Sequence, residues 1–145
     1  MSVKENKQLI RQLYQESGKF GGDVSKLRSF HEKYYAPDFI NHTTSADMNR
    51  EQVIQMSTMY ITAFSETVST INDTVAEGDK VVTRYEIKCT HTGMYMGIPA
   101  TGKEIVVKGM EISIIKGDKV VETWDFPDSL GIMTQLGATL TTPKK

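Results

Sequence analysis

The chain has 145 residues, of which 17 are Lys or Arg and 18 are Asp or Glu, so its formal net charge is −1. A chain of this length folds as one domain; we expect one unit over residues 1–145, with a core at about 4–137 and a flexible tail at 138–145. Balanced charge argues against nucleic acid as a partner, and no apolar run approaches the ~18 residues of a membrane span. With its single cysteine, Cys89, the chain fits a cytoplasmic protein.

Helical periodicity dominates the first half of the chain. Apolar residues recur at intervals of three and four positions after a capping-box pattern, which predicts an amphipathic helix over residues 4 to about 17. A shorter helix is predicted over residues 24–34, ahead of Pro37. A third helix is predicted to start after Asn49 and to end before Glu66.

The second half of the chain alternates β-rich runs with turn residues, which is the pattern of a meander. Four strands are predicted, over residues 68–76, 81–91, 104–115 and 120–126. Helices at the front and strands at the back indicate an α+β fold. We therefore predict a cystatin-like cone, in which three N-terminal helices pack on a strongly curved, mainly antiparallel sheet and enclose a pocket.

Two pairs of polar residues could face such a pocket. Asn41 and His42 follow the second predicted helix, where they can form hydrogen bonds with a ligand, although an Asx-type turn explains the same residues. Arg84 and Glu86 lie two positions apart on a predicted strand and so share one face of the sheet. On the outer face they would form an ordinary charged pair, whereas on the inner face a buried ion pair would indicate a function.

The ends of two predicted strands carry further ionisable residues. His91 opens a turn rich in Gly and Pro, where it could supply a proton or only stabilise the turn. Asp128 follows the last strand with the parity of Trp124, while Asp125 has the opposite parity and Pro127 disturbs the count. A carboxylate beside aromatic surface is partly desolvated, which raises its pKa toward that of a general acid or base. The alternative for Asp128 is an N-cap of a short following helix.

Several chemistries lack the residues that they need. The histidines His31, His42 and His91 are far apart and have no zinc-type spacing. The chain has no P-loop, dinucleotide fingerprint or G-x-S-x-G elbow. We therefore expect no metal site and no nucleotide-dependent or serine-hydrolase mechanism.

Five short motifs follow one another in the second half of the chain. They are Arg84-Tyr85, His91-Thr92-Gly93, Gly97-Ile98-Pro99-x-Thr101-Gly102-Lys103, Glu122-x-Trp124-x-x-x-Asp128-x-x-Gly131 and Gln135-Leu136-Gly137. In order and spacing the chain resembles the SnoaL-like polyketide cyclase family, also described as predicted ester cyclases, within the nuclear transport factor two-like superfamily. The resemblance extends from the first helix to Gly137.

The resemblance implies a deep cavity, a homodimer and a reaction that needs no cofactor and no metal. It implies that the aspartate after the last strand, Asp128, acts as acid and base on a carbon between carbonyl groups, so that the enolate closes a ring. His91 is the second expected catalytic residue. The ligand is expected to be a mostly apolar compound that contains a carbonyl group. Six further side chains are expected to contact it: Tyr14, Asn41, His42, Arg84, Glu86 and Trp124.

Two other functions are compatible with the sequence. Arg84, Glu86 and an aspartate also resemble the Arg and two acids of limonene-epoxide hydrolases, which activate water; this mechanism requires Glu86 to face the cavity. The second alternative is a non-catalytic binding protein of the same fold, which an exposed Asp128 would favour. In either case we expect the outer face of the sheet to be the contact of a homodimer.

Overall fold

The computed structural model describes residues 1–20 and 22–143 of the chain. In this part of the chain, four helices pack on a mixed sheet of six strands, which confirms the predicted α+β fold. In chain order the elements are α1 (Val3–Ser17), α2 (Ser25–Tyr34), β1 (Tyr35–His42), β2 (Asp47–Asn49), α3 (Arg50–Ala63), β3 (Phe64–Glu77), β4 (Lys80–His91), β5 (Glu104–Lys116), β6 (Lys119–Pro127) and α4 (Ser129–Gln135).

Local signals explain where the long helices begin. Ser2 caps α1 by accepting a hydrogen bond from the backbone N–H of Glu5 at 3.1 Å. A capping box starts α3, in which the side chains of Asn49 and Gln52 each accept from the other's backbone N–H at 2.9 Å. These side chains satisfy N–H groups that a helix leaves unpaired at its first turn. The three helices predicted in the first half of the chain are therefore confirmed within a few residues of their expected bounds.

The strands lie in the order β2-β1-β6-β5-β4-β3. Neighbouring strands are antiparallel except for β1 and β6, which are parallel. The four predicted strands are confirmed, whereas β1 and β2 were not predicted. The register of β1 against β6 shifts between Tyr35 and Ile40, on either side of Pro37, because proline cannot donate a hydrogen bond to the ladder.

Buried apolar side chains form two clusters on the helix-covered side of the sheet. One joins α1, α2 and β1 and includes Ile10, Phe30 and Phe39. The other lies at the opposite end, where Phe64 and Ile132 bring the start of β3 and α4 together. The core is thus divided into two clusters, and the cavities described below also lie between the helices and the sheet.

The ends of the described chain add little to this core. Residues 138–143 form no regular secondary structure, and residues 144 and 145 of the expected tail lie outside the described residues. Among the described helices, none is long and apolar enough to cross a membrane.

Candidate active site

Two adjoining cavities lie between the sheet and the helices. The main cavity has a volume of about 410 Å³ and is lined chiefly by apolar side chains, together with the carboxylate of Asp125. The second cavity, of about 240 Å³, lies among α1, α2, α3 and the sheet, with Glu111 in its wall. Because Thr67 and Ile87 line both cavities, the two spaces meet beside these residues.

Asp125 and Glu111 form a carboxylate pair on two central strands. They lie opposite each other in the antiparallel register of β5 and β6, where Cβ atoms are about 5 Å apart. The hydroxyl of Tyr85 donates to Asp125 Oδ1 at 2.7 Å. Glu111 Oε1 accepts from the hydroxyls of Ser113 at 3.1 Å and Tyr14 at 3.4 Å. Each carboxylate therefore has its own hydrogen-bond donors.

Burial changes the proton affinity of this pair. It raises the pKa of Glu111 from 4.5 to about 8, and the negative charge of Asp125 adds to that shift. Burial also raises the pKa of Asp125, while the hydrogen bond from Tyr85 opposes the rise. Both side chains stay partly accessible, because they line the cavities. Adjacent carboxylates in one desolvated site titrate as a pair. Because the negative charge of Asp125 raises the pKa of Glu111, Asp125 is the first of the two to lose its proton and Glu111 keeps its proton to higher pH.

Tyrosine hydroxyls surround the pair as neutral hydrogen-bond donors. Burial raises the pKa of Tyr14, Tyr35 and Tyr85 above the ordinary value of 10.0, and the neighbouring carboxylates raise it further. Neutral hydroxyls can stabilise a developing oxyanion without bringing charge into the site. Tyr14, an expected ligand contact, lines the second cavity. The arrangement can therefore remove a proton from a bound molecule and hold the resulting negative charge.

Metal ligands are not grouped in residues 1–20 and 22–143, where no cluster of three or more His, Cys, Asp or Glu side chains could hold an ion. Glu111 and Asp125 form a pair and not such a cluster. The chemistry that these residues themselves supply is proton transfer.

Gly109 makes room for the ring of Tyr85. It lies opposite Tyr85 in the register of β4 and β5. A Cβ atom at this position would clash with the hydroxyl and the ring of Tyr85. The tyrosine on β4 can therefore reach over β5 to Asp125 on β6 because β5 has no side chain at the crossing point.

Gly109→Ala should break the contact between Tyr85 and Asp125. We expect the free energy of unfolding to fall by about 1–3 kcal/mol, because the added methyl group overpacks a buried site. Urea denaturation measures this loss. Tyr85→Phe is the matched control, since it removes only the hydroxyl and should cost about 1 kcal/mol. An unchanged stability in Gly109→Ala would contradict the close approach of the Tyr85 ring.

Asp128 lies outside the main cavity. Its side chain is exposed and caps α4, accepting a hydrogen bond from the backbone N–H of Gly131 at 2.8 Å. The prediction that this carboxylate faces the cavity is therefore corrected. The exposed position of Asp128 is the one expected for the non-catalytic alternative, so Asp128 itself gives no support to an enzyme. Alternation along β6 turns Asp125 inward, whereas the N-cap alternative describes Asp128.

His91 holds the turn between β4 and β5. Its side chain is fully buried, and Nδ1 accepts a hydrogen bond from the backbone N–H of Thr101 at 3.2 Å. Its backbone pairs with Gly102 at 2.9 Å and Lys103 at 2.8 Å. Nε2 has no hydrogen-bond partner among the described residues. His91 is not among the residues that line either cavity, so the structure places it at the base of the turn and not beside the carboxylate pair.

Arg84 and Glu86 lie on the face of β4 opposite to Tyr85. Arg84 is exposed and donates from Nε and one terminal nitrogen to Asp73 Oδ2, at 2.8 and 2.6 Å. Glu86 is paired with Lys108 in the register of β4 and β5. The expectation that both residues contact a ligand is corrected, because they point away from the cavities. The outward position of Glu86 also argues against the water-activating mechanism, which required this side chain to face the cavity.

Asn41, His42 and Trp124 also lie outside the lining of both cavities. Asn41 is buried and accepts a hydrogen bond from the hydroxyl of Thr123 at 2.8 Å. His42 stacks on Trp124 with ring centroids 4.7 Å apart, and its ring nitrogens lie 2.7 and 2.6 Å from carboxylates on β2 and β6. These carboxylates raise the pKa of His42. The expectation that these three residues contact a ligand is therefore corrected. They make structural contacts that hold β1 and β6 together.

The fold and the site together define a small α+β protein with a carboxylate pair in a largely apolar cavity. The profile of the family described as SnoaL-like polyketide cyclase matches residues 9–136. The chain belongs to the SnoaL-like polyketide cyclase family, as its sequence motifs indicated. Comparison with curated proteins gives no match.

Solved structures of similar fold come from several bacteria. AclR, a putative hydroxylase from Streptomyces galilaeus, has a TM-score of 0.85 at 23% identity and is matched over 99% of this chain and 87% of that chain. A putative SnoaL-like polyketide cyclase from Jannaschia sp. CCS1 has a TM-score of 0.81 at 21% identity, over 95% of both chains. IdmH, a putative polyketide cyclase from Streptomyces antibioticus, has a TM-score of 0.75 at 26% identity, over 92% of this chain and 99% of that chain.

Proposed function

We propose that this protein is a small enzyme that performs acid–base chemistry on a mostly apolar carbonyl compound. The observation that carries the proposal is the carboxylate pair: Asp125 lines the mostly apolar main cavity and lies opposite Glu111, whose pKa is raised to about 8 by burial and by the charge of Asp125. A desolvated carboxylate of raised pKa is suited to take a proton from carbon. Family membership supports the same class of reaction.

The reaction can be written with the chain's own residues alone. Asp125 removes a proton from the carbon beside a carbonyl group. The Tyr85 hydroxyl, which donates to Asp125 Oδ1 before this transfer, then turns its proton to the enolate oxygen. The enolate carbon attacks a second carbonyl of the same ligand, which forms one carbon–carbon bond and closes a ring. Protonated Glu111 gives its proton to the new alkoxide, and the proton on Asp125 then restores Glu111. Ligand and product are isomers, so no other reactant is consumed.

The cavity contributes by folding the ligand. Ring closure needs two carbonyl-bearing segments of one molecule at near-contact distance, and holding reacting groups together can supply a large part of a rate enhancement. A main cavity of about 410 Å³ with mostly apolar walls favours a folded, apolar ligand over an extended one. Polyketide cyclisation is the form of this chemistry that the family's description suggests.

The first step can be tested without the natural ligand. We expect the protein to accelerate the exchange of α-hydrogens of α-tetralone, an apolar ketone, for deuterium in D₂O, because this exchange needs only proton removal and an enolate site. Proton NMR follows the exchange against a buffer control. Exchange at the buffer rate across a panel of apolar ketones would contradict the proposal.

We also propose that the chain forms a homodimer through the outer face of the sheet. Met110, Ile112 and Phe126 are 51%, 38% and 47% exposed, and Met110 lies opposite Phe126 in the register of β5 and β6. Clustered exposed apolar side chains mark interaction surfaces. One such surface on each copy can form a twofold contact, because a twofold interface uses the same patch from both subunits.

Phe126→Glu should convert the dimer to a monomer. A buried, unpaired carboxylate in each half of the contact opposes association. Sedimentation equilibrium measures the mass of the wild-type protein and of the variant. Val24→Glu is the control, because Val24 is also exposed (41%) but precedes α2, away from the sheet face. A wild-type protein that is monomeric at high concentration would contradict the proposed dimer.

A further inference from the structure

The second cavity has no role in the proton removal described above, although it meets the main cavity beside Thr67 and Ile87. The two carboxylates are divided between the spaces: Asp125 lines the main cavity, and Glu111 lines the second. A ligand whose reacting carbon lies beside Asp125 therefore has a second space open to it, on the far side of Thr67 and Ile87.

The size of the second cavity limits what it can hold. Its volume is about 240 Å³, whereas an apolar cavity of about 150 Å³ already holds benzene. One ring with a small substituent therefore fits. Aromatic side chains from α1, α2 and β1 form much of the wall, including Tyr14, Phe30 and Tyr35, and they offer ring faces and edges for packing.

The wall of the second cavity favours an uncharged group. Among the described residues that line it, there is no Lys or Arg. Burial lowers the pKa of His31, and Glu111 is protonated near neutral pH. A carboxylate would find no cation in this wall, and an ammonium group would find no stable anion, so both would lose hydration without compensation.

Glu111 supplies a polar contact in the mostly apolar wall of the second cavity. Its Oε1 accepts from Ser113 and Tyr14, so Oε2 is the oxygen left to carry the proton and donate it. The hydroxyl of Tyr35 likewise has no side-chain partner among the described contacts, while its ring packs on Phe39 with centroids 4.6 Å apart. An oxygen atom on the bound ring would accept from the Tyr35 hydroxyl, so that the proton of Glu111 stays available for the alkoxide of the proposed reaction.

We infer that the second cavity is a subsite for one end of the ligand, and that it takes a single uncharged ring carrying a hydroxyl or keto oxygen. This subsite deepens the proposed function and rests on it for the position of the reacting carbon. The ligand is then larger than the main cavity alone would hold: its folded part lies in the main cavity, and one oxygenated ring extends beyond Glu111.

Phenol is a direct probe of the subsite, and its binding can be followed by the backbone amide resonances of the ¹⁵N-labelled protein. We expect phenol to shift the resonances of Ser57 and Ser69, which line the second cavity, in a saturable way. Benzoate has the same ring with a negative charge, so it should leave these resonances unmoved. The inference would be overturned if phenol caused no saturable shift of these two resonances, or if benzoate bound equally well.

Two adjacent positions on α3 give matched variants. Ser57 lines the second cavity and Met56 lines the main cavity. Ser57→Phe fills the subsite and should weaken phenol binding at least about tenfold, whereas Met56→Phe should change it less than about twofold. Equal affinity in wild type and Ser57→Phe would place phenol elsewhere and reject the subsite. Because phenol binding needs no turnover, it can succeed even if the α-tetralone exchange fails, so the two proposals are separately tested.

Discussion

Asp125→Asn should slow the exchange of deuterium into α-tetralone by about 10²–10⁴-fold, which is the usual contribution of a general base. The amide has the shape of the carboxylate but cannot take up the proton. Its oxygen can still accept the hydrogen bond that Tyr85 donates to Oδ1 at 2.7 Å, so the fold should be retained. Proton NMR gives the exchange rate, and urea denaturation verifies that the variant is folded.

Asp128→Asn is the matched control for this experiment. Asp128 is exposed and caps α4, and asparagine is about as good an N-cap as aspartate. The exchange rate and the stability should therefore remain close to those of the wild-type protein. The opposite result, with exchange lost in Asp128→Asn and kept in Asp125→Asn, would return the role of the base to Asp128.

The helices and the four-strand meander were predictable because their signals are local. The capping box of Asn49 and Gln52 and the three- and four-residue apolar spacing lie within single elements. In contrast, β1 was missed because it pairs with β6, about 80 positions later, where His42 lies opposite Trp124. Its sequence also contains Pro37, which argues against a strand interior. Long-range pairing decided the structure of this segment.

The location of the site was predictable only in part. The end of β6 was correctly expected to carry the site, and Asp125 and Asp128 differ in parity there, but the family resemblance favoured Asp128. Parity alone did not choose between them, because alternation along a strand shows that two side chains face opposite sides but not which side is covered by the helices. The α4 cap then fixed the outward position of Asp128.

Glu111 and Tyr85 were missed as site residues, although β5 carried a signal. Glu111 shares the parity of Ile105 and Val107, which are 1% and 9% exposed, so a carboxylate interrupts an otherwise apolar face. Gly109 on the same face is unusual within a strand and marks a close approach. Neither feature identifies its partner, since Asp125 lies opposite Glu111 only once the register of β5 and β6 is known.

His91 illustrates a motif whose role is local architecture. Its Nδ1 accepts a hydrogen bond from the backbone N–H of Thr101, which links the two ends of the turn. Gly93, in the same motif, packs so tightly on the end of α3 that a Cβ atom would clash with the backbone of Thr62. The His91-Thr92-Gly93 segment therefore positions Phe64 and Tyr95, whose rings lie 5.0 Å apart beside the main cavity.

Glu111→Gln should stabilise the protein at alkaline pH. The pKa of Glu111 is raised from 4.5 to about 8 by burial and by Asp125. Below pH 4.5 the folded and unfolded states both hold the proton. Between pH 4.5 and about 8 the unfolded state releases it and the folded state keeps it, so the free energy of unfolding falls as pH rises. Within this range each pH unit lowers the free energy of unfolding by about 1.4 kcal/mol, until Glu111 also ionises in the folded state.

Glutamine is neutral at every pH and can still accept hydrogen bonds from Ser113 and Tyr14, so the variant should lack this loss. Urea denaturation from pH 5 to pH 9 should show the two proteins diverging, with Glu111→Gln the more stable by on the order of 3–5 kcal/mol above pH 8. Glu104→Gln is the control, because Glu104 lies on the same strand but is exposed. If wild type and Glu111→Gln keep parallel pH profiles, Glu111 is ionised throughout this range, and it cannot be the acid that protonates the product.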